Sequence, residues 1–416
     1  MLVLTNGTLI DGTGKEPIEK AVVVIEANTI KSVGPEIAYP EGSPVIDLGG
    51  RVIMPGLIDC HLHLGGFVID DPNWQFSSRS FMPWFSSFLW DYLRHFAKRR
   101  RLAIENGVTT IRSAGDNYPD ITKLRDRIEL GKLTGPRIFA PGPIFTAPGG
   151  HPAGTIYRRN RYIVEHATRQ VDDAEVAREE VRKLAEGGVD CIKAVYSRIN
   201  LMDLAHDVPQ LDLRVLEATV DEAHRHNLRT MVHAGSPEET RNAVTVGADS
   251  IEHGIGPDGD PIEFTDTLIA MMVDKGTYYV PTVAVSWALK NTYPGFLAKV
   301  KATVKKLHDS SVKIATGTDS GMPGVVIGKS IHIEMDLLVE AGLSPMEAIV
   351  TATRNAAGNL GQEHHLGTIE EGKLADIIVV SGNPLEQASK TGEIEMVIKN
   401  GEVSINRLRK GRFPQA

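Results

Sequence analysis

The chain has 416 residues, and 45 Lys and Arg against 53 Asp and Glu leave a net charge of −8. Its one compact basic run is "KRRR" at 98 to 101, so nothing in it asks for a nucleic acid. No basic segment followed by an apolar run opens the chain and no stretch is apolar enough to span a bilayer, so a soluble, cytoplasmic protein without a membrane partner is expected.

Residues 1 to 56 read as short strands, "LVLTNGTLI", "AVVVIEANTIKSVG" and "VIDLGGRVIMPG", separated by Gly and Asn turns. From 57 to about 364 short apolar runs alternate with amphipathic stretches, the pattern of parallel strands joined by helices. Candidate strands are 56 to 64, 109 to 115, 137 to 142, 191 to 195, 229 to 235, 250 to 254, 278 to 282 and 313 to 320. Helices are expected at 173 to 187, 212 to 226, 330 to 342 and 344 to 360. The last opens with Ser344 as N-cap, Pro345 in the first turn and Glu347 at the capping-box position. Residues 365 to 416 return to β character in "LADIIVVSG" and "EMVIKNGEVSI", with an Asn-Gly turn at 400 to 401. The expected architecture is therefore α/β: a (β/α)8 TIM barrel over 57 to 364, with a small β-sandwich built from 1 to 56 and 365 to 416. Cys60 and Cys191 are far apart and suit packing positions rather than a disulfide framework.

Chemistry concentrates where barrel strands end. His61 and His63 in "PGLIDCHLHLGG" lie two apart on a strand, so both side chains can face one point. The spacing alone carries little, because His224 and His226 in "EAHRHN" share it on a predicted helix, where residues two apart diverge; that pair is assigned to a solvated helix end. What distinguishes the first pair is its company. His233 ends the fifth strand in "TMVHAG", His253 the sixth in "IEHG" and Asp319 the eighth in "GTDSG", while Lys193 lies on the fourth in "DCIKA". Neutral imidazole and carboxylate donors converging at one barrel mouth make a metal-ligand set.

This constellation resembles the amidohydrolase superfamily. "LLVEAGLSPMEAIVTATRNAAGNLG" and "LGTIEEGKLADIIVVSGNPL" are similar to the closing segments of its imidazolonepropionase-like and Xaa-dipeptidase (prolidase-like) branch. The resemblance implies a binuclear centre of two divalent ions, zinc first among them. His61, His63 and Asp319 would hold the more buried ion and His233 and His253 the more exposed one. Lys193, carboxylated by CO2, would bridge the two, and Asp319 would also move the proton from water to the leaving amine. Two departures fall near the implied substrate side: "VHAGS" where the branch often reads His-Ala-His-Gly, and "AVYSRIN" where a Ser-Gly-Gly-like turn is common.

Softer candidates for substrate binding are His151 in the glycine-rich "APGGHPAGTIYRR", and Tyr196 and Arg198 just past Lys193. Residues 67 to 96 hold ten of the chain's Phe, Tyr and Trp residues, a concentration that reads as a pocket wall or a subunit contact and suggests a homo-oligomer. The resulting expectation is a metal-dependent hydrolase of amide bonds in dipeptides or N-acyl amino acids. Its rivals are a one-metal cyclic-amide hydrolase or deaminase, a lactone, ester or organophosphate hydrolase, and a non-catalytic oligomeric scaffold.

Overall fold

The computed structural model describes residues 1–65, 97–158, 160–201 and 203–408. The first 55 residues form β1 (Leu2–Leu9), β2 (Ile18–Glu26), β3 (Thr29–Pro35), β4 (Val45–Asp47) and β5 (Val52–Pro55). The central strands are β6 (Leu57–Leu62), β7 (Val108–Ser113), β8 (Arg137–Phe139), β9 (Ile144–Thr146), β10 (Thr168–Gln170), β11 (Cys191–Val195), β12 (Arg229–Ala234), β13 (Ser250–His253) and β14 (Tyr278–Val280). The chain then returns through β15 (Ile377–Val380), β16 (Ile394–Lys399) and β17 (Glu402–Asn406).

Both ends of the chain share one eight-stranded sheet, in the order β17-β16-β15-β5-β1-β2-β3 with β4 beside β1. Alternation along its middle strands explains how it attaches. Ile53, Ile377 and Val379 join the apolar cluster of Leu4, Leu9, Val23 and Ile25 on one face, while Val52, Met54, Ile378 and Val380 face the main core. A strand buried on both faces reads as a continuous apolar run, which is what "VIMP" and "IIVV" are. The turn between β16 and β17 places Asn400 and Gly401 at positive φ, the geometry of a two-residue hairpin loop.

The central strands pair in parallel, as β6-β7-β8 and as β10-β9-β11-β12-β13-β14. The segment 314–320 lies between the free edges of β14 and β6, bridging Ile314 to Tyr279 and Ser320 to Leu62. It was expected to be an eighth strand, and it is not one. Regular pairing is interrupted because Asp319 takes φ 53° and because the Asp59 carboxylate accepts from Thr318 N and Oγ1, at 3.0 and 2.7 Å. Gly317 permits the close approach: a Cβ there would lie 2.7 Å from His61 Cβ. β9 and β10 add three-residue strands too short for alternation to announce.

The helices over Ala174–Glu186 and Leu213–Arg225 start on the caps Asp173 and Asp212, and a third runs over Ser330–Glu340. The stretch 344–360 opens on the Ser344–Glu347 capping box but splits into Pro345–Thr351 and Arg354–Asn359. The Thr351 and Ala352 carbonyls accept from Thr316 N and Ile58 N, at 3.0 and 2.9 Å, so the helix end serves the strand edges instead of its own next turn. Cys60 and Cys191 are free and buried. Among the described residues no helix is long and apolar enough to cross a membrane.

Candidate metal centre

β6 and the 314–320 segment are laced together residue by residue. Cys60 N donates to Thr316 O, Thr318 N and Asp319 N donate to His61 O, and His63 N donates to Ser320 O. This lacing brings His61, His63 and Asp319 to one place, with a ligand-capable atom from each within 4.8 Å of the others. Asp319 Oδ1 lies 3.2 Å from His63 Nε2 and 3.5 Å from His61 Nε2, yet it makes no aligned hydrogen bond. Two imidazole nitrogens and a carboxylate oxygen that face one another in this way form a donor set that could hold a cation.

The neighbouring parallel strands bring the other candidates to the same cavity. Lys193 on β11, His233 on β12 and His253 on β13 all line it, together with His61, His63, His151 and Asp319. The His61 and His253 ring centroids are 4.8 Å apart and those of His233 and His253 4.4 Å. Lys193 Nζ is buried and has no hydrogen-bond partner among the described residues.

Electrostatics follow from burial. Desolvation holds His61 and His233 well below the usual imidazole value and His253 at about 4, keeping these rings neutral as ligation requires. Burial also opposes a cation at His63, but the Asp319 carboxylate outweighs it and raises that ring. For Asp319 itself burial would raise the carboxyl, and the surrounding imidazoles bring it below its ordinary value. Desolvation lowers Lys193 to about 8, although Glu252 pulls the other way. Burial thus favours the free amine more than at an exposed lysine, and the free amine is the form that reacts with CO2.

Sequence reasoning missed the residues that aim these ligands. Glu252 Oε2 lies 2.6 Å from His61 Nδ1 and accepts a hydrogen bond from it, leaving Nε2 unprotonated with its lone pair on the side of Asp319. Glu252 Oε1 in turn accepts from Ser250 Oγ and Arg112 Nη2 at 2.6 and 2.8 Å, and Arg112 Nε donates to Cys60 O at 2.8 Å. On the far side His253 Nδ1 meets Thr282 Oγ1 at 2.7 Å. Thr282 is at φ 48° and directly precedes the helix Val283–Ala288, whose first two N–H groups donate to the buried Glu334 carboxylate. The available signal was the presence of Arg112 and Glu252, two charged residues inside apolar strand runs.

The three softer candidates separate. His151 reaches the cavity, with its ring centroid 5.4 Å from that of His233 and Nδ1 2.8 Å from Thr155 Oγ1. Tyr196 does not: Lys193 and Val195 face the cavity, so alternation turns Tyr196 outward, where its hydroxyl accepts from Asn242 Nδ2 at 3.1 Å. Arg198 is also absent from the cavity, with a side chain 58% exposed and Nε 3.8 Å from Asp207 Oδ2. His224 bonds Asp249 Oδ2 at the end of the helix Leu213–Arg225, away from the centre. The aromatic segment 67–96 lies outside the described residues.

Comparison with known proteins agrees with this geometry. The amidohydrolase family matches residues 52–404. Ochratoxinase of Aspergillus niger is 29% identical over 92% of this chain and 82% of its own. Imidazolonepropionase of Geobacillus thermodenitrificans is 26% identical over 94% of this chain and 91% of its own. A solved Xaa-Pro dipeptidase with methionine bound in its active site superposes with a TM-score of 0.80 at 29% identity, covering 97% of this chain and 99% of that one. The family match includes every strand that carries a cavity residue: the chain belongs to the amidohydrolase family, hydrolases of amide and other carbon–nitrogen bonds.

Proposed function

We propose that the protein is a metal-dependent hydrolase of amide bonds in dipeptides or N-acyl amino acids. The observation that carries the reading is the single cavity into which His61, His63, Lys193, His233, His253 and Asp319 converge from four strands and the 314–320 segment. In it His61, His63 and Asp319 would hold one divalent cation and His233 and His253 a second, with Lys193, as its carbamate, supplying anionic oxygen to both. When bound, the cations supply polarisation of the scissile carbonyl and acidification of water. Asp319, kept ionised by the imidazoles around it, takes the water proton at its carboxylate and delivers it to the leaving amine nitrogen. His151, with Nδ1 occupied by Thr155, presents its remaining ring nitrogen for orienting the substrate carbonyl.

The architecture that goes with this reading is a (β/α)8 barrel over 57–364 and a terminal β-sandwich from 1–56 and 365–416. It is supported by the shared terminal sheet and by the 314–320 segment between β14 and β6. A homo-oligomeric, cytoplasmic enzyme belongs to the same proposal, and light scattering on the purified protein reads its oligomeric state.

A second reading has one observation in its favour: among the described residues only three donors, those of His61, His63 and Asp319, lie within 4.8 Å of one another. It is a one-metal cyclic-amide hydrolase or deaminase in which Lys193 remains an amine. Metal analysis of the purified protein separates the two by stoichiometry. A hydrolysis screen over dipeptides, N-acyl amino acids, lactones and aryl esters tests the reaction, with Asp319→Asn as the blank. Asp319→Asn is expected to retain metal and lose turnover; turnover of esters alone removes the amide assignment.

A further inference from the structure

The cavity is lined by two kinds of side chain. The imidazoles, Lys193 and Asp319 make one set, and Ile199, Leu201, Ile255, Phe296 and Val300 form an apolar wall beside it. We propose that this wall recognises one apolar, uncharged flank of the amide substrate and is the main determinant of specificity. The proposal rests on the amide-hydrolase reading for its reaction, but the wall is argued from its own geometry.

Three separate segments build it: the loop after β11, the loop after β13, and the helix Phe296–Asp309. They are tied to one another. The Tyr293 hydroxyl donates to Leu201 O, and Lys299 Nζ donates to Pro257 O at 2.8 Å. Ile199 is seated against two glycines, where a Cβ on Gly235 or Gly256 would come within 2.6 or 2.8 Å of its Cδ1. Phe296 and Val300 are four apart, so they occupy one face of their helix, and both are buried. A wall held at this many points is a preformed surface, which binds without first having to be ordered.

Charge points to the chemical class. Apart from the imidazoles, the ionisable acid and base side chains among the described lining residues are Asp319 and Lys193, and Tyr157 is the one phenol among them. Arg198, the nearest candidate anchor in the sequence for a substrate carboxylate, turns to Asp207 instead. A carboxylate set against these five side chains would lose water and gain no hydrogen bond from them. Size narrows the class further. The cavity of about 110 Å3 is of the order of the ~150 Å3 cavity that admits one benzene. Because that volume belongs to the whole cavity, the flank against the wall is no larger than a single ring or a short branched chain.

The test uses the full chain loaded with zinc and two substrate ladders. One lengthens the acyl group on a fixed amine, the other lengthens the alkyl group on the nitrogen of a fixed acetamide, and each includes a carboxylate-ended member. On one ladder kcat/KM is expected to climb about fourfold per methylene, which corresponds to ~0.8 kcal/mol each, until the chamber is full. The carboxylate-ended member is expected to fall by roughly 100-fold or more. Val300→Thr, which places a hydroxyl on the wall, flattens the climb, and Phe296→Leu, which keeps the wall apolar, moves the best chain length. Two flat ladders, or preference for the carboxylate-ended member of the ladder that climbs, overturn the proposal. Methyl ketones of the same chain lengths, titrated calorimetrically into Asp319→Asn, separate its failure from that of the amide reading. If no amide turns over but ketone affinity rises with length and falls in Val300→Thr, the wall stands and the amide reading falls. Ketone affinity indifferent to length overturns the wall.

Discussion

Glu252 and His253 are neighbours in the chain, yet both face His61, the first by hydrogen bond and the second by ring contact. Strand alternation would send them to opposite faces, and the left-handed backbone of His253, φ 67°, removes that conflict. Asp319 does the same at φ 53°. Two site residues thus occupy backbone conformations that a bulky side chain rarely adopts, held there by the strands on either side. Because Glu252 sets the tautomer of His61, Glu252→Gln is expected to weaken metal binding by about 10- to 100-fold, as read by chelator competition. Unchanged affinity would leave Glu252 with a purely structural part beside Arg112. Lys193→Ala is expected to lose metal and activity, with partial recovery on adding short carboxylic acids; full metal occupancy in that variant would remove the bridging carbamate. That the histidines, Lys193 and Asp319 share one cavity was legible because ligand-type residues at successive strand ends are an uncommon coincidence. Glu252 and Arg112 were not, because their significance lies in a partner 140 residues away in the chain.

At the scale of elements, the helices were the readable part, since caps and apolar faces are local. Asp173, Asp212 and Ser344 each accept from the first-turn N–H groups that their positions predict. The end of the helix Leu213–Arg225 carries a second local device, where His224 Nε2 meets Asp249 Oδ2 at 2.9 Å and its titration is raised by that hydrogen bond. A group whose folded value is raised contributes stability below its unfolded value and loses it as pH rises through the folded value. Wild type should therefore exceed His224→Gln in stability most clearly between about pH 5 and 6.5, with the difference fading toward pH 8. The size is on the order of 0.5 kcal/mol, since the side chain is 42% exposed. Urea unfolding across pH checks it, and a pH-independent difference would contradict the assignment. The 314–320 segment and the split in 344–360 were unreadable from pattern alone, because strand edges and the Asp59 carboxylate override local propensity there.

At the scale of the molecule, β5, β15 and β16 of the terminal sheet pack into both the sheet's own apolar cluster and the main core. Val397 and Ile394 face the main core, while Met396 and Ile398 face the sheet's own cluster. Gly56 N donates to Asp376 O, and Arg137 reaches the Asp376 carboxylate, so the junction is bonded as well as packed. Interdigitation of this kind makes independent unfolding of the two parts unfavourable. Met396→Ala, at a fully buried position, is expected to destabilise by about 2–5 kcal/mol and to move loss of the metal site and loss of the sheet together in one transition. Two separated calorimetric transitions would show that the parts unfold independently. The sequence by itself determined the β character of both termini, the alternation of strands and helices between them, and the ligand-type residues at the strand ends, because each is written in local spacing and residue chemistry. Only the tertiary structure decided which residues hold His61 and His253 in place, that Tyr196 and Arg198 turn away from the cavity, and that Ile199, Leu201, Ile255, Phe296 and Val300 line it. Those outcomes depend on which strands become neighbours and on single backbone torsions such as those of His253 and Asp319, and a residue pattern read along one strand carries neither.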